Sequence, residues 1–125
     1  MESGSLDSNK EASFARITSN VAGLRTDEDY DAFIAHSRSK LAVVNFGATW
    51  CSHCQSIFPH FLRIAKQRPE IEFAVAQVDY MHRAAQDVTF TPTVTIFKNG
   101  KKVDEVLGAS AQQIRDRVWL QTDEA

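Results

Sequence analysis

The sequence predicts an α/β domain, with a central mixed sheet of about five strands and helices on both faces. Three observations predict it. Residues 41–46, Leu-Ala-Val-Val-Asn-Phe, form a short and nearly continuous apolar run, the signature of a central strand covered on both sides. Strand-like and helix-like periodicities alternate along the chain, as they do where parallel strands are joined by helical crossovers. Toward the C-terminus, Asn99-Gly100 separates two β-rich runs, the strongest short-range signal for an antiparallel hairpin.

The elements follow in chain order. Residues 14–18 read as a short strand. Thr26 with Asp29 forms a capping box, and Tyr30, Phe33 and Ile34 follow at helical spacing, which predicts an amphipathic helix over 27–38. After the strand at 41–46 comes Trp50-Cys51-Ser52-His53-Cys54. Over 54–67, Ile57, Phe58, Phe61, Leu62 and Ala65 share one helical face, and Pro59 inside that pattern predicts a kink. The cysteine pair therefore opens a helix. Residues 71–78 are strand-like and 81–87 predict a short helix. The runs 93–97 and 102–107 are the hairpin strands. Ser110 and Gln113 form a second capping box ahead of Ile114, Val118 and Trp119, a closing amphipathic helix. Phe46, Phe58, Phe61, Phe73, Phe90 and Phe97 are read as core.

At 125 residues and 43% hydrophobic content, the chain has the size of one domain with enough apolar side chains for a core. Residues 14–120 are assigned to it. Residues 1–13, rich in Ser, Gly, Asn and charge, cannot offset their ordering entropy and are expected to form a flexible tail; 121–125 are a short C-terminal tail. The 14 basic and 16 acidic residues are interspersed, for a net charge of −2, so no electrostatic footprint for nucleic acid or anionic lipid exists. The longest apolar stretch is about one strand long, too short for a membrane span. Glu2, Asp7 and Glu11 lie among serines near the N-terminus, unlike a secretory or transit peptide. A cytoplasmic location, with the nucleus also open, is the expectation.

Two cysteines occur, three positions apart. A disulfide closing so short a loop removes little entropy from the unfolded chain, so stapling is a poor reason for the pair. In a reducing compartment such a pair is catalytic or metal-binding. A thiol becomes a nucleophile as its thiolate, and a helix N-terminus favours that form. Cys51 stands where the effect is largest, and Cys54, one turn on, can reach a mixed disulfide formed at Cys51. Trp50 would cover one side of the site while leaving the first sulfur accessible. A closed zinc site needs four ligands, and no second Cys pair or His pair at ligand spacing supplies them. His36, His60 and His82 read as surface or helix-face residues. His60, seven positions after His53, is a weak metal hint. Lys98, Lys101 and Lys102 read as a solvated turn.

The segment Ala48-Thr49-Trp50-Cys51-Ser52-His53-Cys54 resembles the redox segment of the thioredoxin family. Pro59 falls where that helix kinks, Asp79 resembles the strand-ending Asp, and Thr91-Pro92-Thr93 resembles the cis-proline loop. Phe97-Lys98-Asn99-Gly100 is similar to the family's hairpin, and Gly108 to its glycine after the last strand. The likeness covers residues 14–120 and, within the family, is nearest the atypical plant thioredoxin-like 3 group. It implies a thioredoxin fold, Cys51 as nucleophile and Cys54 as resolving thiol. It also implies a cis Pro92 beside Cys51, leaving the Thr91 backbone free to pair with an extended target peptide. Trp50, Thr91, Pro92 and Gly108 would form the substrate site. Without the resemblance, Pro92 reads as the start of a strand.

Three departures stand out. Where the family has a buried Asp thought to serve the resolving thiol, this chain has Asn45, which cannot titrate. Either water or His53 takes over proton transfer at Cys54, or Asn45 is a hydrogen-bonded polar residue of the strand. Gly47 stands where a bulky aromatic is common, so the floor of the site should be more open or the strand end more mobile. The intervening pair is Ser52-His53 in place of Gly-Pro; His before the second Cys is similar to disulfide isomerases and the periplasmic oxidase. His53 would stabilise the Cys51 thiolate and raise the potential, the alternative being an exposed spacer.

The expected function is thiol–disulfide exchange on protein disulfides by a monomer that needs no cofactor, with a reductase or glutathione returning electrons. Two rival readings stand beside it. One is a redox-inactive binding module, motivated by Asn45 and Gly47; the other is a pair holding an iron–sulfur cluster or zinc across a dimer.

Overall fold

The computed structural model describes residues 14–122. The expected tail at 1–13 lies outside the described residues. The elements are β1 (Ala15–Thr18), β2 (Val21–Leu24), α1 (Asp27–His36), β3 (Leu41–Gly47), α2 (Ser52–Gln67), β4 (Glu72–Gln77), β5 (Thr93–Lys98), β6 (Lys101–Leu107) and α3 (Ala111–Thr122). A single 3₁₀ turn, Val78–Tyr80, follows β4. Among the described residues the sheet has six strands in the order β1-β2-β4-β3-β5-β6. Strands β2, β4 and β3 run parallel, and β5 and β6 add on antiparallel. No helix of the described residues is long and apolar enough to cross a membrane.

Alternation along the strands builds the two layers. Val43, Phe73, Val94 and Ile96 face α2 and α3, meeting Phe61, Ile64, Ile114 and Val118. Val44, Phe46, Ala74 and Ala76 face the other way, toward Phe33 and Tyr30 of α1. Helices therefore cover both faces. The capping box at Thr26 and Asp29 is formed, and Ser110 and Gln113 exchange the corresponding bonds at α3. Asn99 and Gly100 both adopt positive φ, 57° and 79°, as a two-residue hairpin with the twist of its flanking strands requires. Helix α2 runs through Pro59 without a break.

Four expectations need correction. The sixth strand, β2, is only Val-Ala-Gly-Leu and mostly buried, so it shows no polar alternation to read. Residues 81–87 form bends and turns, not a helix. The Arg83 and Ala84 N–H groups donate to the Asp27 carboxylate at 3.0 and 2.9 Å, a long-range partner in place of a helical ladder. The Asp27 pKa is lowered, first by the Arg83 backbone bond and then by that of Ala84. Phe90 is 54% exposed and Phe58 only half-buried, so neither is a core ring. Helix α3 extends to Thr122, two residues into the segment read as tail.

The junction of β1, β2 and α2 has its own lock. Buried Asn20 donates through Nδ2 to the carbonyls of Ala65, Arg68 and Ile71 at 2.9, 3.1 and 3.0 Å, satisfying carbonyl groups around the C-terminus of α2. Nearby, the buried carboxylate of Glu72 meets Arg16 at 2.9 Å and Lys40 at 3.4 Å, with His36 Nε2 at 3.7 Å. Burial pushes the Glu72 pKa up, but the bonds and charges of Arg16 and Lys40 outweigh it and leave the pKa below the usual value. A carboxylate whose folded pKa is depressed stabilises the fold above the unfolded value, and that contribution is lost as pH falls through the folded one. Glu72→Gln should therefore lose about 1–3 kcal/mol near neutral pH. The gap from the parent should close below roughly pH 4, as read by urea unfolding at several pH values.

Candidate active site

Strand β3 ends at Gly47 and the chain turns through Ala48 to Trp50 before α2 begins. Cys51 is the N-cap of α2, with extended φ −93° and ψ 109°. Its sulfur accepts the Cys54 N–H at 3.1 Å, the bond that a Ser or Asp side chain makes at an ordinary helix start. The two cysteines are joined as a disulfide, with Cα atoms 5.2 Å apart. The helix begins at Ser52, two residues before the predicted start.

Cys51 is 7% exposed, less than the sequence implied. Cys51 lines a groove of about 490 Å³ together with Trp50, Ser52, His53, Val88, Phe90 and Thr91. Trp50 is 71% exposed, and its indole N–H donates to Asp79 at 3.1 Å. The ring is a wall of the groove, not a lid. Asp79 sits in the 3₁₀ turn after β4, so the end of one parallel strand orients a side chain from the loop after its neighbour.

The Thr91–Pro92 peptide is cis, as the resemblance implied, and the Thr91 carbonyl oxygen lies 3.6 Å from the Cys51 sulfur. Gly108 N–H donates to the Pro92 carbonyl at 2.7 Å. Gly108 has φ +61°, and a Cβ there would stand 3.0 Å from the Phe90 ring. It thus holds the loop through its N–H and leaves room for the Phe90 ring. Thr93 Oγ1 donates to the Phe90 carbonyl at 2.6 Å, fixing the same loop from the β5 side.

A second opening, a cavity of about 370 Å³, is lined by Asn45, Gly47, Cys54, Phe58, Val75 and Gln77 among others. Parallel pairing sets Asn45 opposite Val75 and Gly47 opposite Gln77, so all four share the α2 face. Asn45 is 3% exposed, and its Oδ1, like Gln77 Oε1, is buried with no hydrogen-bond partner. A bonded strand side chain is therefore not what its oxygen represents. A Cβ at Gly47 would lie 3.2 Å from the Cys54 sulfur, so the glycine leaves room beside that atom, as the more open floor requires.

The structure thus gathers Cys51, His53, Trp50 and Thr91 around one groove, sets Cys54 with Asn45 at the second opening, and leaves Pro92 buried next to Thr91, its carbonyl bonded to Gly108. His53 is exposed on the Cys51 side. His60 instead pairs with Arg63, 2.9 Å from Nδ1 to Nη1. Among the described residues, no three His, Cys, Asp or Glu side chains are grouped as a metal site needs. Sequence reasoning missed Gln77, Phe58 and Phe90. Only the register of β4 against β3 brings Gln77 to Asn45, and Phe90 belongs to a loop whose course the sequence does not carry.

The sequence matches the thioredoxin family over residues 21–119, which takes in both cysteines, the cis-proline loop and most of the closing helix. The chain belongs to the thioredoxin family. It is 38% identical over 79 residues to Thioredoxin-like 3-3 of Oryza sativa subsp. japonica, covering 63% of this chain and 61% of that protein. The Arabidopsis thaliana protein of the same name is 37% identical, with 63% of each chain covered. These matches agree with the resemblance to the thioredoxin-like 3 group, though the matched stretch spans only about three-fifths of either relative's length. Thioredoxin-1 of Saccharomyces cerevisiae is 37% identical over 78% of this chain and 95% of its own. Among solved structures, Fasciola hepatica thioredoxin superposes with a TM-score of 0.72 at 38% identity, covering 77% of this chain and 94% of its own. The architecture here is thus the thioredoxin fold, with β1 paired antiparallel to β2 at one edge of the sheet.

Proposed function

We propose that this chain reduces protein disulfides by thiol–disulfide exchange, with Cys51 attacking and Cys54 resolving. One observation carries the reading: the Cys51 sulfur occupies the acceptor position of a helix N-cap, 3.1 Å from the Cys54 N–H. Unpaired N–H groups and the positive end of the helix favour a thiolate there. In the reduced chain that thiolate attacks one sulfur of a target disulfide laid along the groove. A mixed disulfide forms, and the target's other sulfur departs as a thiolate and takes up a proton. Cys54 then loses its proton, attacks the Cys51 sulfur and expels the second target thiolate. The Cys51–Cys54 bond re-forms and two electrons have passed to the target. The target segment lies extended against the backbone of Thr91, a β-type pairing, between the rings of Trp50 and Phe90.

Asn45 cannot take the proton that Cys54 loses. Water reaching Cys54 through the cavity takes it, since His53 lines the groove and not the cavity. Placing a carboxylate beside Cys54 supplies a built-in base, so Asn45→Asp should speed decay of the mixed disulfide about tenfold at neutral pH, measured by rapid-quench kinetics. An unchanged decay rate would contradict this role.

His53, one residue before Cys54 on the exposed start of α2, stabilises the Cys51 thiolate and so the reduced form. The potential should lie above the roughly −270 mV of a reducing thioredoxin, and His53→Ala should lower it by about 15–30 mV in a redox titration. A potential at or below that of thioredoxin would remove this role. The reading further has the chain act as a monomer in the cytoplasm, without a bound cofactor, its electrons returned by a reductase or by glutathione.

Covalent trapping tests the reading. Cys54→Ser should accumulate mixed disulfides between Cys51 and target proteins, and Cys51→Ser should accumulate none. Failure of Cys54→Ser to capture any disulfide-bearing protein would overturn the assignment.

A further inference from the structure

Charges that are interspersed along the chain separate between its helices. Helix α1 carries Asp27, Glu28, Asp29 and Asp31 and no Lys or Arg; α2 carries Arg63 and Lys66 and no Asp or Glu. The two helices cover opposite faces of the sheet. Ser52, Ser56, Pro59, Arg63 and Lys66 recur at three- and four-residue spacing and are all exposed, so they form one stripe along α2. Ser52 borders the Cys51 groove. At its other end the stripe enters a cavity of about 540 Å³ between α2 and the β1–β2 turn, where Arg63 and Lys66 stand with Pro59, Leu62, Pro69 and Asn20. The three bonds from Asn20 to α2 and the segment after it fix that wall. Among the described residues neither Arg63 nor Lys66 has a carboxylate partner. The carboxylate nearest in sequence, Glu70, is held by Arg68 at 2.8 Å. Arg63 donates to His60 Nδ1 at 2.9 Å, which steadies the guanidinium and leaves its other N–H groups free.

We propose that the Arg63–Lys66 cavity docks an acidic segment of the disulfide-bearing target, its carboxylates on the two cations and one apolar side chain against Pro59, Leu62 and Pro69. Arg63 can take a carboxylate in two parallel hydrogen bonds, and Lys66 one helical turn away takes a second. Two cations are too few for nucleic acid or an anionic lipid surface, which call for roughly four to ten, and the net charge of −2 opposes both. A second copy of this chain does not fit either, because the α1 carboxylates are spent: Asp27 accepts the Arg83 and Ala84 N–H groups, Asp29 those of Arg25 and Thr26, and Asp31 pairs with Arg83. Glu28 alone is left. The stripe supplies the link to the groove. About 16 Å of helix separates Ser52 from Arg63, a span that about five extended residues cover. A target whose acidic segment lies that far from its cysteine meets both sites at once, and holding the segment raises the local concentration of its disulfide at Cys51. This rests on the exchange chemistry proposed above.

Two cysteine-free peptides, Glu-Glu-Leu-Glu-Glu and Gln-Gln-Leu-Gln-Gln, test the docking apart from the chemistry. Titrated into the oxidised full chain and followed by amide NMR, the acidic peptide should shift Ser19, Asn20, Arg63 and Lys66 and bind about tenfold tighter than the neutral one. Added salt should weaken it, and Arg63→Gln combined with Lys66→Gln should remove the difference. Equal binding of the two peptides, or shifts confined to other parts of the molecule, would overturn the proposal. The kinetic arm uses disulfide peptides that carry either sequence about five residues from the cysteine. At sub-saturating concentration the reduced chain should reduce the acidic one about five- to tenfold faster. The double variant should lose that preference and reduce the neutral one within about twofold of the parent rate, because both substituted side chains are exposed. Equal rates for the two in the parent would overturn the proposal. Reduction of neither, with the amide shifts intact, would instead reject the exchange reading, and with it a target as the occupant.

Discussion

Cys51→Ser should lower protein-disulfide reduction by at least about 10³-fold while leaving the fold intact. The physical reason is specific to the helix start. A serine hydroxyl can still accept the Cys54 N–H that Cys51 accepts at 3.1 Å, so α2 keeps its N-cap. What is lost is a sulfur that ionises near neutral pH. Urea unfolding should therefore move by less than about 1 kcal/mol from the reduced parent, where no disulfide contributes, although turnover disappears. The remaining thiol at Cys54 does not substitute, because it lies on the cavity side of the pair and away from the groove. An insulin-type turbidity assay beside the unfolding curve separates the two outcomes. Residual turnover within tenfold of the parent would mean that Cys54 can act as first nucleophile.

Phe61→Ala should cost about 3–5 kcal/mol of stability, a large share of the 5–15 kcal/mol typical of a domain. Phe61 is fully buried on α2 and packs edge-on against Phe73 of β4, with ring centroids 5.5 Å apart at 82°. It joins the helix that carries Cys51 to the strand that runs into Gln77 and Asp79. The melting temperature should fall by roughly 10–20 °C, with the denaturant slope little changed. Disulfide-reducing activity at low temperature should survive, since the truncation leaves the groove intact. A loss below about 1 kcal/mol would show that the layer closes over the gap.

These outcomes depend on features that differ in how openly the sequence displays them. Local chemistry was legible: the apolar run of β3, both capping boxes and the Asn99-Gly100 turn are each specified by residues a few positions apart. So was the placing of Cys51 and Cys54 at a helix start, since a buried-type strand followed by an amphipathic helix leaves little freedom for the segment between. Features decided by distant partners were not legible. The 81–87 segment resembles a short helix until Asp27 accepts its N–H groups. Strand β2 shows no alternation because it is mostly buried. Phe90 reads as core by composition but stands at the groove, its ring against Gly108.

The candidate site divides in the same way. Asn45 is visible in the sequence as a departure from a family pattern, yet its unpartnered oxygen and its neighbour Gln77 emerge only from the β3–β4 register. The exposure of the pair was likewise hidden, because Cys51 is buried against the Thr91 carbonyl and the missing side chain at Gly47 leaves room beside the Cys54 sulfur. Accessibility at this site is a property of the packing, whereas the identity of the reacting atoms is a property of the sequence.

The most direct measurement of the central claim is the pH dependence of alkylation of the reduced chain by iodoacetamide, with the modified cysteine identified by mass spectrometry. A sulfur held at the N-cap of α2 should react first at Cys51, with an apparent pKa below the ordinary thiol value of about 8.5. Cys54 should follow only at higher pH. Alkylation that starts at Cys54, or a Cys51 pKa at or above the ordinary value, would contradict the account.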